Sequence, residues 1–255
     1  MTSQVYHAAS ADGRVLRLCY VRHPRVDPGS QGGGVFSSLN GASAEIGISR
    51  SDAPWSLTAV SNANVDRRGF RTMPRSPAVQ LRIDARRVAR PGPLPAASAA
   101  DCEHIATLSA SASADLELAR PWSARDVEAR MTRVGARYGW DRVALCDGAL
   151  LGVEHTPVVV RTESATGCSE RREALAFDLA ALPGHEAELT PLVCAWCARL
   201  ADEGIDDLLV TVASPRLLAP LASLAASETR LHLNHQFRVA PDADARGYFI
   251  DGMLF

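Results

Sequence analysis

Residues Arg14 to Leu39, RVLRLCYVRHPRVDPGSQGGGVFSSL, decide how this chain is read. A mostly apolar run, Val15 to Val21, reads as a strand and ends in a Pro- and Gly-rich loop. The loop closes on Gln31-Gly32-Gly33-Gly34-Val35-Phe36, where a helix-compatible segment begins. Strand, glycine loop and helix N-terminus together are a physical arrangement for holding a pyrophosphate. Glycine lets backbone N–H groups approach an anion with no Cβ in the way. The first amides of the helix, unpaired within it, face the charge. Neither GxxxxGK[ST] nor GxGxxG is present. A glycine-rich loop with no ligand would have the same composition.

Working outward, 255 residues suffice for one large domain or two modest ones. With 47% hydrophobic and 22% charged residues, the composition is that of an ordinary globular protein. A net charge of −2 argues against nucleic acid or an anionic membrane surface as partner. All 27 basic residues are arginines, which rules out a Schiff-base lysine. Six cysteines are scattered without a secretory signal, so a reduced, cytoplasmic setting is expected. Cys194 and Cys197 form a CxxC inside a helical pattern, with no second ligand pair, and read as core thiols. No apolar run reaches the ~20 residues of a membrane span.

Asp12-Gly13 signals a hairpin between Val5–His7 and Arg14–Val21. Val35, Leu39, Ala42 and Ile46 recur at helical spacing. Ser56–Val60 reads as a strand, Ser61 to Arg68 as a short helix capped by Ser61 or Asn62, and Val79–Ala85 as another strand. The Pro-rich stretch 90–97 reads as a linker. Beyond it the pattern predicts helices over Ser98–Ser113 and Ser123–Tyr138, the latter with Ser123 and Asp126 at capping-box spacing. A hairpin about Asp147-Gly148 joins Arg142–Cys146 to Leu150–Val160. A strand over Leu175–Leu182, a helix over Thr190–Asp202, a strand over Asp207–Val212 and a helix over Ser214–Ala226 follow. Two closing strands, Arg230–Val239 and Gly247–Phe255, end the chain.

The pattern Q-x-x-G-x-F at Gln31–Phe36 resembles the coenzyme A pyrophosphate loop of the GNAT superfamily of acyl-CoA-dependent N-acyltransferases. That loop has the form [QR]-x-x-G-x-[GA], from which Phe36 departs at the last position. The resemblance extends to the order of elements, to an Asn-rich helix followed by Gly69-Phe70, and to ARPWSARDVEARM, which is similar to the family's early helices. It implies an α/β (α+β) fold of two GNAT-like units in tandem, with mixed, mainly antiparallel sheets flanked by helices. The first unit, 1–89, is truncated but keeps the loop. The second, 98–255, is nearly complete, but Leu182–Leu189 replaces its loop with one glycine and two carboxylates, Glu186 and Glu188, that would repel the anion.

The resemblance further implies that an amine attacks the thioester of acetyl-CoA or another acyl-CoA directly, without a metal. The pantetheine would lie between the splayed strands Leu18–Arg22 and Leu57–Val60, with Cys19 and Val21 meeting it through the backbone. Gln31, Gly32, Gly33, Gly34, Val35 and Phe36 would meet the pyrophosphate, and Asn62 or Asn64 would contact the coenzyme or merely cap their helix. The tyrosine that often protonates the leaving thiolate has no counterpart in that helix. Candidate proton carriers are Tyr20, His23, which titrates near neutrality, and Tyr248 on the last strand. His232 and Asn234 share a strand face that could line a cleft between units. Asp178, within LAFDLAAL, falls where several members keep a carboxylate near the acceptor. Each has a plainer reading as a solvated or core group. Three functions fit: an acyltransferase on a small-molecule amine, a GNAT-fold biosynthetic enzyme running another reaction such as cyclisation or decarboxylation, or a non-catalytic binding protein. An exposed sheet edge at Val5–His7 allows a homodimer.

Overall fold

The structure, a computed structural model, describes residues 2–9, 15–22, 33–52, 56–61, 78–114, 116, 119, 122–133, 138–164 and 167–236. The first hairpin forms where the turn signal placed it. Strands β1 (Thr2–Ala9) and β2 (Val15–Arg22) pair antiparallel from Thr2↔Arg22 to Ala9↔Val15. Helix α1 (Val35–Ile48) follows, then β3 (Ser56–Ser61) and β4 (Ala78–Asp84), whose last residue caps the short α2 (Ala85–Val88) through Arg87 N–H. Helices α3 (Cys102–Ala112) and α4 (Ala124–Thr132) come next, α4 with the expected capping box between Ser123 and Asp126. Strands β5 (Val143–Leu145), β6 (Ala149–Val153), β7 (Val158–Ser164) and β8 (Gly167–Ala181) lead to α5 (Leu189–Asp202). Strand β9 (Asp207–Val212), α6 (Pro215–Leu218) and β10 (Ser227–Gln236) complete the described elements.

All ten described strands share one open sheet in the order β1-β2-β3-β10-β4-β9-β8-β6-β5, with β7 paired to β8 off this path. Pairing is antiparallel except at β2–β3 and β8–β9, which are parallel. Strands from the stretches 1–89 and 98–255 alternate across the middle of the sheet. Strand β10 pairs with both β3 and β4, while β4 pairs with β9. The Pro-rich stretch 90–97 is docked rather than free: Ala97 N–H donates to Val143 (2.9 Å), Leu145 N–H to Pro95 (2.9 Å) and Arg90 N–H to Cys194 (3.2 Å).

Helices cover both faces of the second half of the sheet, so its central strands are buried throughout. In β6, Leu150 packs with Ile105, Leu108, Val127 and Phe177 on the α3–α4 side, and Leu151 packs with Leu192, Val193, Trp196 and Val210 on the α5 side. The Trp196 indole N–H donates to the Leu151 carbonyl at 3.2 Å, which satisfies the one polar atom that burial of this ring would strand. Arg142 is 2% exposed yet fully engaged, donating to the carbonyls of Val153 and Glu154 and to Glu203 at 2.8 Å.

Several expectations are corrected. Leu150–Val160 is not one strand: β6 ends at Val153 and β7 begins at Val158, with Pro157, which has no N–H to lend a ladder, between them. Strand β8 is twice the expected length, its first half forming a solvent-exposed ribbon with β7. The predicted helix Ser123–Tyr138 stops at Thr132, where Arg133 turns extended, and Tyr138 instead stacks on Phe177 with ring centroids 4.4 Å apart. The predicted helix Ser214–Ala226 breaks after Leu218, two residues before Pro220. The apolar stripe on α1 faces outward, with Val35 40%, Leu39 46% and Ile46 53% exposed. Ser61, predicted to open a helix, ends β3 instead; the rest of that helix, the Gly69-Phe70 element and the strand Gly247–Phe255 lie outside the described residues.

A β-bulge marks the middle of β8: Gly152 pairs with Asp178 and Val153 with Ala176, so Phe177 is the extra residue. Its ring packs against Gly152, where a Cβ would approach Phe177 Cζ to 2.6 Å. Gly152→Ala is expected to lower stability by roughly 1–3 kcal/mol, read as a reduced denaturation midpoint; an unchanged midpoint would contradict this packing. The Cys197 thiol, buried in α5, is pushed up to about 12 by burial. It is expected to resist a thiol reagent at pH 8 in the native protein and to react only on unfolding. Modification of native Cys197 would contradict the core reading of the CxxC.

Candidate functional site

Strands β2 and β3 run parallel but pair at only two positions, Cys19↔Ser56 and Tyr20↔Leu57. Beyond them β2 continues to Arg22 and β3 to Ser61, each bound on its far side: β2 to β1 along its whole length, β3 to β10 from Ser56 to Ser61. The described ladders place nothing between Val21–Arg22 and Thr58–Ser61, so the facing backbone edges diverge. Backbone donors and acceptors in such a gap need partners from elsewhere.

Helix α1 begins at the same end of β2. Gly33 and Gly34 lead into it, Gly34 in the left-handed region (φ 75°) with its carbonyl accepting Ser38 N–H at 3.1 Å. No side chain caps this helix and no acidic residue sits in its first turn. A Cβ at Gly34 would meet nothing within 4 Å, so the approach is open. Among the described residues nothing covers the first amides and the positive end of the helix dipole, an arrangement suited to an anion. The return from α1 to β3 is tied to β2 by Asp52, whose carboxylate accepts from Arg17 N–H (2.7 Å) and its guanidinium (2.7 Å), while Asp52 N–H donates to the Arg17 carbonyl (2.7 Å).

Of the residues the sequence singled out, Gly33, Gly34 and Val35 stand at this helix N-terminus and Phe36 in its first turn. Cys19 and Tyr20 lie in the short paired segment of β2, and Val21 is the first residue past it. His23, Gln31, Gly32, Asn62, Asn64 and Tyr248 lie outside the described residues. His232 and Asn234 are in β10, at register positions opposite Val60 and Thr58. Asp178 is not brought to this cleft: β8 lies five strand positions from β2, roughly 24 Å along the sheet at the usual spacing. Its carboxylate pairs with Arg130 at 3.2 Å to both oxygens, and that guanidinium sits 4.6 Å over Trp122, 4.8 Å over Tyr138 and 4.9 Å over Phe177. Such a carboxylate anchors α4 to the sheet, and accepting a proton would require breaking the pair.

A second parallel pair lies further along the sheet. Strands β8 and β9 pair from Glu173↔Asp207 to Leu175↔Leu209 and then diverge. The start is pinned by Arg171, which grips the fully buried Asp207 at 2.7 Å through both oxygens. Leu217 and Leu221 are buried in the same core cluster as Ala181, Leu189, Val210 and Val212. Glu188, expected to repel an anion here, is turned to the β5–β6 turn. It accepts from the Cys146 thiol (3.0 Å), Gly148 N–H (3.2 Å) and His185 Nδ1 (2.7 Å). Burial and this carboxylate push the Cys146 thiol up to about 11, which makes it inert rather than nucleophilic. Arg216, on α6, was missed by the sequence reading; an arginine in the first turn of a short helix carries no signal of what it will reach. Among the described residues no group of three or more side chains could hold a metal ion, and no helix is long and apolar enough to cross a membrane.

No protein-family model and no curated protein sequence matches the chain. Solved structures do. The chain is similar to two structures of N-myristoyltransferase from Saccharomyces cerevisiae with bound myristoyl-CoA. One has TM-score 0.65 at 8% identity, covering 94% of this chain and 64% of that one; the other has TM-score 0.61 at 10% identity, covering 94% and 67%. A GCN5-related N-acetyltransferase from Kribbella flavida matches with TM-score 0.44 at 16% identity over 91% of this chain and 55% of that one. The chain thus spans about two thirds of the length of the N-myristoyltransferase chains it resembles. At these identities the likeness is one of fold: the chain has a mixed α/β fold similar to that of N-myristoyltransferase.

Proposed function

We propose that this chain is an acyl-CoA-dependent N-acyltransferase that acts on a small-molecule amine, built from two GNAT-like units (1–89 and 98–255) of which only the first holds coenzyme. The observation that carries the reading is the divergence of β2 and β3 beyond Tyr20↔Leu57, next to a glycine-led helix without a side-chain cap. The free backbone edge of β2 suits the amides of a pantetheine arm, and the α1 N-terminus suits the pyrophosphate that follows it. In the reaction, the amine nitrogen bonds to the thioester carbonyl carbon, the C–S bond breaks, and the thiolate takes up a proton equivalent to the one the amine loses. His23, which the sequence places directly after β2, is the proposed base, with Tyr20 and Tyr248 as further proton carriers.

The test is a melting curve with acetyl-CoA, free CoA and no ligand. At a hundredfold excess over the dissociation constant, binding is expected to add ~2.7 kcal/mol of stability. Gly34→Val is expected to abolish the shift, because a β-branched residue resists a positive φ and blocks the anion's approach. Its unliganded melting temperature serves as the folding control. No shift with any CoA species would sink the coenzyme reading. A shift without acyl transfer to any amine would replace it with a GNAT-fold protein doing other work.

A further inference from the structure

Helix α1 carries an apolar seam that the described chain does not cover. Val35, Leu39 and Ile46 are 40%, 46% and 53% exposed, and Ala42 between them is exposed as well. Among the described residues no other helix exposes a large apolar side chain. The four positions follow one another at steps of four, three and four residues, the ~3.5-residue period of a seam that meets another helix. Helix α1 packs on β1 and β2, and no described strand lies beyond β1, so the seam stands where the chain's own sheet stops. The edge at Val5–His7 belongs to the same end.

The symmetry of the seam decides what fits it. Val35 and Ile46 are equally far from the point between Asn40 and Gly41, and so are Leu39 and Ala42. A second α1 laid antiparallel about a twofold axis at that point sets Val35 against the partner's Ile46 and Leu39 against the partner's Ala42, each contact being made twice. Large faces small at the centre, which lets the helix axes close to the usual separation of roughly 8–10 Å. Glu45 is the one charged residue of the helix and lies away from the axis, so the pairing brings no like charges together. A partner of unrelated sequence would need no such symmetry.

We propose that α1 is the interface of a homodimer, in which two copies of the chain pair this helix antiparallel about a twofold axis between Asn40 and Gly41. The inference uses no property of the β2–β3 cleft and stands or falls apart from the proposed function.

Sedimentation velocity over the micromolar range tests it. The wild-type chain is expected at twice the 27.2 kDa mass of one copy. Leu39→Glu is expected at the single mass with an unchanged far-UV spectrum, because that position is exposed in each copy. Val35→Glu and Ile46→Arg are each expected to give the single mass too, which covers the case in which Leu39→Glu does not fold. The double variant Val35→Glu/Ile46→Arg is expected to restore the double mass, since each new carboxylate then faces a new guanidinium across the axis. Within one chain those two positions lie roughly 16 Å apart along the helix and cannot pair. A wild-type chain that stays at the single mass overturns the inference, as does a double mass that survives the single substitutions. Failure of the double variant to regain the double mass overturns it as well.

Discussion

Two parallel strands that diverge cannot satisfy each other's backbone, and the organisation of this chain follows from how its two such gaps are filled. At β2–β3 the pairing lasts two residues, and the neighbours β1 and β10 hold each strand in place from outside. At β8–β9 it lasts three, and β6 and β4 do the same. Flanking strands on both sides make the divergence rigid, because closing either gap would cost a ladder elsewhere. A gap held open in this way must take up protein or a ligand.

The two gaps take different courses. Beside the second, Leu217 and Leu221 are buried in the core, and Arg216 joins the end of β8 to the loop that follows, through the Ala181 carbonyl and the Glu186 carboxylate. In the first, the helix that follows has no cap, no acidic first turn and an unobstructed approach at Gly34. The proposed division of labour follows from this contrast: only the first cleft is assigned to a ligand. The exchange of strands makes each dependent on the other half of the chain, since β10 supports β3 and β4 supports β9.

Much of this was legible in the sequence where periodicity and burial agree. Strand β9 was read residue for residue from DLLVTV, because a strand covered on both faces is a short apolar run between turn residues. The Ser123–Asp126 capping box is local chemistry and formed as read, and the strands on either side of Asp12-Gly13 pair antiparallel as expected. The first part of β8, GCSERR, was not legible, since a ribbon with both faces in water carries no apolar alternation. The stripe on α1 showed a helix but not its orientation. Strand exchange is a non-local pairing that no window of sequence contains. Within the second cleft, the sequence read Glu186 and Glu188 as repelling an anion. The structure shows Glu188 turned away and Glu186 bound by Arg216, a partner thirty residues distant.

The central claim, one open cleft and one self-filled cleft on the same sheet, is tested most directly by backbone hydrogen exchange with and without coenzyme A. Protection is expected in Leu18–Arg22 and Gly33–Ser38, with Leu182–Glu188 unchanged. Protection at Leu182–Glu188, or at neither loop when coenzyme is saturating, would contradict the account.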